Sequence, residues 1–225
     1  MRRFSELFSR AAERKGGANN LEARLAETPS RSRAEIAQLA DDRILAEMTR
    51  WIFYAGFSSR VVDGKWDGFE AAFWHFDPNA SAFMSDDQLD VLAQDRGIVR
   101  NVAKIRSVQR NAAFLLELQH EYGSAAGFFA DWPDSDYVGL RELLKKRASH
   151  LGGDAAARFL RAIGKPAFIL RPDVVAALVR EGVVTRAPTG KRDLALVQAA
   201  FNQWAEESGR DLTAISRTLA MSVDA

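Results

Sequence analysis

The sequence of 225 residues contains no cysteine. That excludes disulfides, thiolate metal sites, iron–sulfur clusters and a cysteine nucleophile together. Proline is scarce, with six residues at positions 29, 78, 133, 166, 172 and 188. Each falls where a helix can start or stop, and none interrupts a long periodic run. No apolar stretch approaches the ~20 residues that span a bilayer. The opening Met1-Arg2-Arg3-Phe4-Ser5-Glu6 lacks the apolar core of a signal peptide. A soluble, cytoplasmic protein with no membrane partner is expected. An excess of one charge sign is also missing: 31 Lys and Arg stand against 30 Asp and Glu, a net charge of +1. The average charge gives no hint of a polyanionic partner, and the length fits one large domain or two small ones packed together.

What the chain does have is helical periodicity. From Ile98, the apolar positions Val102, Ile105, Val108, Ala112, Leu115 and Leu118 recur every three or four residues, one face of a long helix. Residues 34–55 repeat the pattern through Ile36, Leu39, Ile44, Met48 and Ile52. Leu194, Val197, Phe201 and Trp204 mark another helix, and Leu212, Ile215 and Leu219 a last one. Ser85 is a candidate N-cap, Asp77-Pro78 opens a helix, and Pro172-Asp173 forms a first turn. No alternating strand pattern stands out. The expectation is an all-α protein of about ten helices.

Charge is unevenly spread. Between Asp63 and Asp95 eight acidic residues accompany one basic residue, Lys65. Between Arg96 and Arg110 there are five basic residues and no acidic one. Between Arg141 and Arg171 eight basic residues stand against Glu142 and Asp154. A basic segment of this kind fits a polyanion, although a solvated helix face would show the same run. Inside it, Leu143 to Leu160 reads as helix, Gly152-Gly153 turn, helix. A glycine turn opening a helix presents backbone N–H groups at the positive end of a helix dipole, an arrangement that holds phosphate. Lys145, Lys146 and Arg147 would add charge, and His150 sits beside the turn.

In this order, Ala55-Gly56-Phe57-Ser58, Phe73, Phe76-Asp77-Pro78, Asp95 to Ile105, Asn111-Ala112, Leu144 to Arg147 and the hairpin resemble the 3-methyladenine DNA glycosylase I family. That family belongs to the helix-hairpin-helix glycosylase superfamily. The resemblance covers residues 41–160. It implies a two-lobed helical fold over residues 1–225. The larger lobe, about 32–165, would carry the hairpin; residues 1–31 and 166–225 would form the second. It also implies hydrolysis of the N-glycosidic bond of alkylated purines in base excision repair. The partner would be double-stranded DNA and the protein a monomer, with no cofactor. The damaged base must leave the stack, so its pocket needs aromatic walls.

By that resemblance Trp51, Tyr54, Ser59 and Trp66 are the candidate base pocket. Lys145, Lys146, Arg147, Gly152 and Gly153 would grip DNA. The sequence departs from the family in three places. Trp51 stands where the family carries a base-reading glutamate, and Ser59 where it carries a second tryptophan. The family's terminal zinc needs cysteine, and the three histidines, 75, 120 and 150, are far apart. Asp173 lies about where other superfamily branches carry a catalytic aspartate; the alternative is that it caps its own helix. Phe53 reads as core, Glu47 as surface, and Trp74, His75 and Trp132 as core or lobe contacts. A non-catalytic DNA-binding module of the same fold is the competing reading.

Overall fold

The computed structural model describes residues 1–223. Among them the helices in chain order are α1 (Phe4–Arg14), α2 (Ala18–Ala26), α3 (Arg33–Ala37), α4 (Asp41–Tyr54), α5 (Ser59–Asp63), α6 (Trp66–Ala72), α7 (Pro78–Ala82) and α8 (Asp86–Leu92). They continue with α9 (Val102–Tyr122), α10 (Ala125–Asp131), α11 (Tyr137–Arg147), α12 (Gly153–Ala162), α13 (Pro172–Arg180), α14 (Lys191–Ser208) and α15 (Leu212–Met221). Short 3-10 turns occupy Trp74–Phe76 and Asp134–Asp136. No strand occurs among the described residues, so the all-α expectation holds. Fifteen α-helices exceed the ten expected because several, such as α3, α5 and α7 at 5 residues each, are too short to display a period. No helix among the described residues is long and apolar enough to cross a membrane.

The chain divides into two compact units. The first comprises Met1–Arg31, Pro133–Gly139 and Gly164–Ala225; the second comprises Ser32–Trp132 and Leu140–Ile163. In the first unit Ala11, Ala12, Leu21 and Leu25 form a small core between α1 and α2, with Phe8 and Met221 against it. Phe168 stacks on Phe201 of α14 at 4.3 Å, and the Tyr137 hydroxyl donates to the Phe168 carbonyl at 2.9 Å. Buried Glu181 accepts from the side chains of Arg2 and Arg180, at 3.1 and 2.7 Å.

The second unit is organised around α9. Its predicted stripe is completely buried at Ile105, Val108, Ala112, Leu115 and Leu118, against α4, α7 and α10, whereas Val102, in the first turn, is exposed. Burial of each large aliphatic side chain contributes about 1.5–3 kcal/mol. Predicted caps form as drawn: the Ser85 and Asp77 side chains accept the backbone N–H groups of Gln88 and Ala80. Asn101, at the start of α9, accepts from the Lys104 N–H. The basic run from Arg96 to Arg110 is partly structural. Arg106 ties α9 to Asp86 and Asp90 of α8, and the Lys104 ammonium donates to the Ile52 carbonyl at the end of α4. Burial lowers the pKa of Lys104.

Trp74, His75 and Phe76 all have positive φ, 48°, 55° and 61°. Three consecutive non-glycine residues in the left-handed region are costly, and the surroundings hold them. Phe76 is buried and stacks on Trp66 and Phe73, while Arg43 donates to the His75 carbonyl at 2.7 Å. This turn moves two side chains away from the expected core: Trp74 is 43% exposed and the His75 side chain 83%.

Candidate base pocket and DNA-gripping hairpin

The C-terminal end of α4 carries Trp51 and Tyr54 one turn apart, so both rings lie on one face. Their rings meet edge to face, 5.1 Å apart at 88°. The Tyr54 hydroxyl donates to Asp63 at the end of α5. Burial, then the hydrogen bond to the Asp63 carboxylate, push the tyrosine pKa up to about 12. Helix α12 packs against α4. Between them lies a cavity of about 550 Å³, lined by Trp51, Tyr54, Ala55, Ser59, Asp154, Ala155 and Arg158. Small-molecule sites typically measure about 300–1,000 Å³.

Three of the four predicted pocket residues therefore line one cavity. Trp66 does not. It stacks on Phe69 and Phe76, donates its indole N–H to Glu70 at 3.0 Å, and carries the Arg50 guanidinium 4.0 Å over its ring. Phe53 is fully buried, as expected for core. The sequence reading missed Asp154 and Arg158. Their spacing of four on α12 was the available signal, since it places both on one helix face.

Arg158 lies with its guanidinium 5.7 Å from the centre of the Trp51 ring. Asp154 belongs to the first turn of α12, where the helix dipole favours a carboxylate. The Trp51 indole N–H is buried and has no hydrogen-bond partner.

Directly before α12 comes the hairpin. Gly153 has φ of +54° and His150 of +61°. A β-carbon is tolerated poorly at such angles, which explains the glycine at 153. Leu151 anchors the turn by complete burial. Asn111, buried on α9, donates to the Ser149 carbonyl at 3.1 Å and accepts the Ser149 N–H at 2.7 Å. The Arg141 guanidinium donates to the Gly153 carbonyl at 3.1 Å. Lys145 and Lys146 are exposed at the end of α11. Arg147 behaves differently: it is ion-paired with Glu117 and Glu121 of α9, at 3.1 and 2.6 Å. Hydrogen bonds to Glu121 and then Glu117 raise its pKa, and Arg147 in turn lowers that of Glu121.

Asp173 stands in the first unit, directly after Pro172 in the first turn of α13. One carboxylate oxygen accepts the Val174 N–H at 2.8 Å; the other is 3.7 Å from Arg171. A second depression, along α1, is lined by Arg2, Ser5, Glu6, Ser9, Arg10 and Glu13. It has no aromatic wall, and Arg2 and Arg10 are bonded to Glu181 and Ser222. The family's zinc does not fit this chain: cysteine is absent, and among the described residues no group of three His, Asp or Glu side chains is placed to hold a metal.

A family model described as methyladenine glycosylase matches residues 37–151. Trp51, Tyr54 and Ser59 lie within that stretch, and Asp154 and Arg158 beyond it. Among solved structures, 3-methyladenine DNA glycosylase I from Staphylococcus aureus is 22% identical over 55% of this chain and 76% of its own, with a TM-score of 0.50. The Methanocaldococcus jannaschii 8-oxoguanine glycosylase/lyase, solved with a 15mer DNA containing 8-oxoguanine, is 13% identical. It covers 95% of both chains, also with a TM-score of 0.50. These likenesses show the fold, a helix-hairpin-helix glycosylase fold.

Proposed function

The chain belongs to the methyladenine glycosylase family, and from that premise we propose that this DNA glycosylase takes a flipped alkylated purine into the cavity between α4 and α12. The observation that carries the reading is the sharing of α12. Its first residue is Gly153 of the hairpin, and its first two turns supply Asp154, Ala155 and Arg158 to the cavity. A glycosylase needs a backbone grip beside a base pocket, because the base leaves the stack while its phosphates stay bound. In the chemical step the bond between C1′ and the purine nitrogen breaks, and the electron pair departs with the base. Water bonds to C1′ and gives up a proton. An N3-alkylated purine is already cationic, so it leaves without strong acid assistance.

Trp51 and Tyr54 supply aromatic surface for the base, held at right angles by the Tyr54–Asp63 hydrogen bond. Lys145, Lys146 and the N–H groups around Gly152 and Gly153 take the phosphates. Arg147 is the weakest of the predicted DNA contacts, being engaged by two glutamates. Asp173 is the proposed carboxylate for the developing positive charge on the sugar. Its partly buried side chain, held by a single backbone hydrogen bond from the Val174 N–H, supports that role; Arg171, not Asp173, is the N-cap of α13, and no side chain caps the helix.

The test is release of methylated bases from alkylated duplex DNA, measured against a no-enzyme control. Trp51→Ala is expected to lower release by at least about tenfold through lost stacking, and Asp173→Asn by about a hundredfold. Salt-dependent DNA binding with no base released by the unaltered protein would instead support the non-catalytic module. The tryptophan at the glutamate position is the feature that favours that second reading.

A further inference from the structure

We infer that the Lys104 ammonium is a second phosphate-binding point for DNA, at the α4 wall of the cavity, facing the glycine hairpin at the α12 wall. The inference rests on the reading that DNA lies across that hairpin, and it adds a contact on the other side of the flipped nucleotide. The surroundings of one side chain lead to it. Lys104 reaches from α9 to the end of α4, where its ammonium donates to the Ile52 carbonyl. The Phe53 and Phe57 rings lie 5.9 and 5.7 Å from the nitrogen. Among the described residues it forms no ion pair, and burial alone lowers its pKa. A half-buried charge without a counter-ion is costly. Capping α4 uses one of the three ammonium donors and leaves two.

Gly56 shows where those donors can be reached. Its φ is not in the left-handed region, so the backbone does not require glycine there. A β-carbon at 56 would lie 3.2 Å from the Lys104 nitrogen and 3.4 Å from its Cε, and would meet nothing else within 4 Å beyond its chain neighbours. Gly56 is exposed. Its missing side chain leaves the ammonium open at the surface, and a phosphate there would supply the absent negative charge. The position suits DNA. Ala55, next to Gly56, lines the cavity on one wall; Asp154, next to Gly153 of the hairpin, lines it on the other. Lys104 and Asn111, which holds hairpin residue Ser149, are two turns apart on α9. They share one helix face, about 10 Å apart along the axis. A DNA strand advances ~3.4 Å per phosphate, so the two points span about three phosphates, enough to hold both sides of one flipped nucleotide.

The experiment measures binding to a duplex carrying a tetrahydrofuran abasic analogue, so that no base has to enter the cavity. Fluorescence anisotropy follows it over a range of salt. Lys104→Met removes the charge and keeps an unbranched side chain. It is expected to weaken binding about tenfold and to reduce the slope of log affinity against log salt by about 0.9, one phosphate's share. Lys104→Arg should keep the slope. An unchanged slope in folded Lys104→Met overturns the inference and leaves Lys104 a helix cap. A second measurement needs no variant: acetic anhydride labelling of the unaltered protein, read at each lysine by mass spectrometry. The duplex is expected to slow labelling of Lys104 severalfold. Equal labelling with and without DNA overturns the inference. So does equal protection by inorganic phosphate at the same phosphate concentration, which would mark a site for the free ion. The hairpin reading fails separately, if Lys145 and Lys146 stay unprotected and their alanine variants keep the slope while Lys104 responds.

Discussion

Asn111 and Ser149, 38 positions apart, exchange two hydrogen bonds, with the α9 amide clamping both backbone groups of the hairpin residue. Asn111 is fully buried, and the next residue after Ser149 is His150 with φ of +61°. The side chain does for the hairpin what a neighbouring strand would do for a strand: it satisfies one N–H and one C=O that no helix reaches.

Removing that clamp tests its weight. Asn111→Ala leaves both Ser149 backbone groups unpaired beside the core, at an expected cost of about 2 kcal/mol or more. Urea denaturation measures the loss. DNA affinity, followed by fluorescence anisotropy under conditions where the variant is folded, should fall as well, because the hairpin N–H groups lose their fixed direction. Unchanged affinity in a folded variant would separate the hairpin from DNA binding.

The basic residues of α11 divide into two kinds. Lys145→Ala with Lys146→Ala is expected to weaken DNA binding and to reduce the slope of log affinity against log salt by roughly 1–2. Arg147→Ala should leave that slope nearly unchanged. It breaks the ion pairs with Glu117 and Glu121, half-exposed contacts worth about 0–1 kcal/mol. A salt titration of all variants distinguishes the two classes, and an Arg147 slope change equal to that of the lysines would overturn the division.

Glu70 makes the second unit sensitive to acid. The hydrogen bonds from Arg43 are the largest cause of its lowered pKa, and the same arginine holds the His75 carbonyl of the left-handed turn. A carboxylate whose folded pKa lies below its unfolded value stabilises the fold fully above the unfolded pKa. That contribution disappears as pH falls through the folded pKa. Stability should therefore decline below about pH 4.5, an ordinary glutamate value. Glu70→Gln should be less stable at neutral pH and show a shallower acid decline. Thermal unfolding between pH 3 and 7 records both.

Gly68 of α6 lies against the backbone of Gly97, so a β-carbon at 68 would clash with the Gly97 carbonyl. Backbone on both sides leaves little room to yield. Gly68→Ala is expected to destabilise the protein by about 1–3 kcal/mol, despite alanine's better helix propensity. A melting temperature equal to or above that of the unaltered protein would contradict this contact.

Local patterns in the sequence specified much of what the structure shows. The α9 stripe is legible because a helix buried on one face must repeat every 3.6 residues, and caps such as Ser85 act within four positions of themselves. The glycine hairpin and the Ala55-Gly56-Phe57-Ser58 block carried the family likeness for the same reason: both are short and local. Short helices of five to seven residues escaped notice because they complete too few turns. Trp66 is a candidate pocket wall by its position in the family resemblance, and only packing places it under Arg50 and against Phe76.

The cavity itself could not be read from one segment. Trp51 and Arg158 are separated by more than a hundred residues, and the packing of α12 against α4 brings them together. The sequence alone determined the helices, the turns and the type of residue available at each position. The tertiary structure decided which charges remain available: it spent Arg147 on two glutamates and Arg106 on two aspartates, while Arg158 faces the ring of Trp51. Charge pairing falls off within a few ångströms, so which partner neutralises which side chain depends on where the folded chain brings them, not on their distance along it.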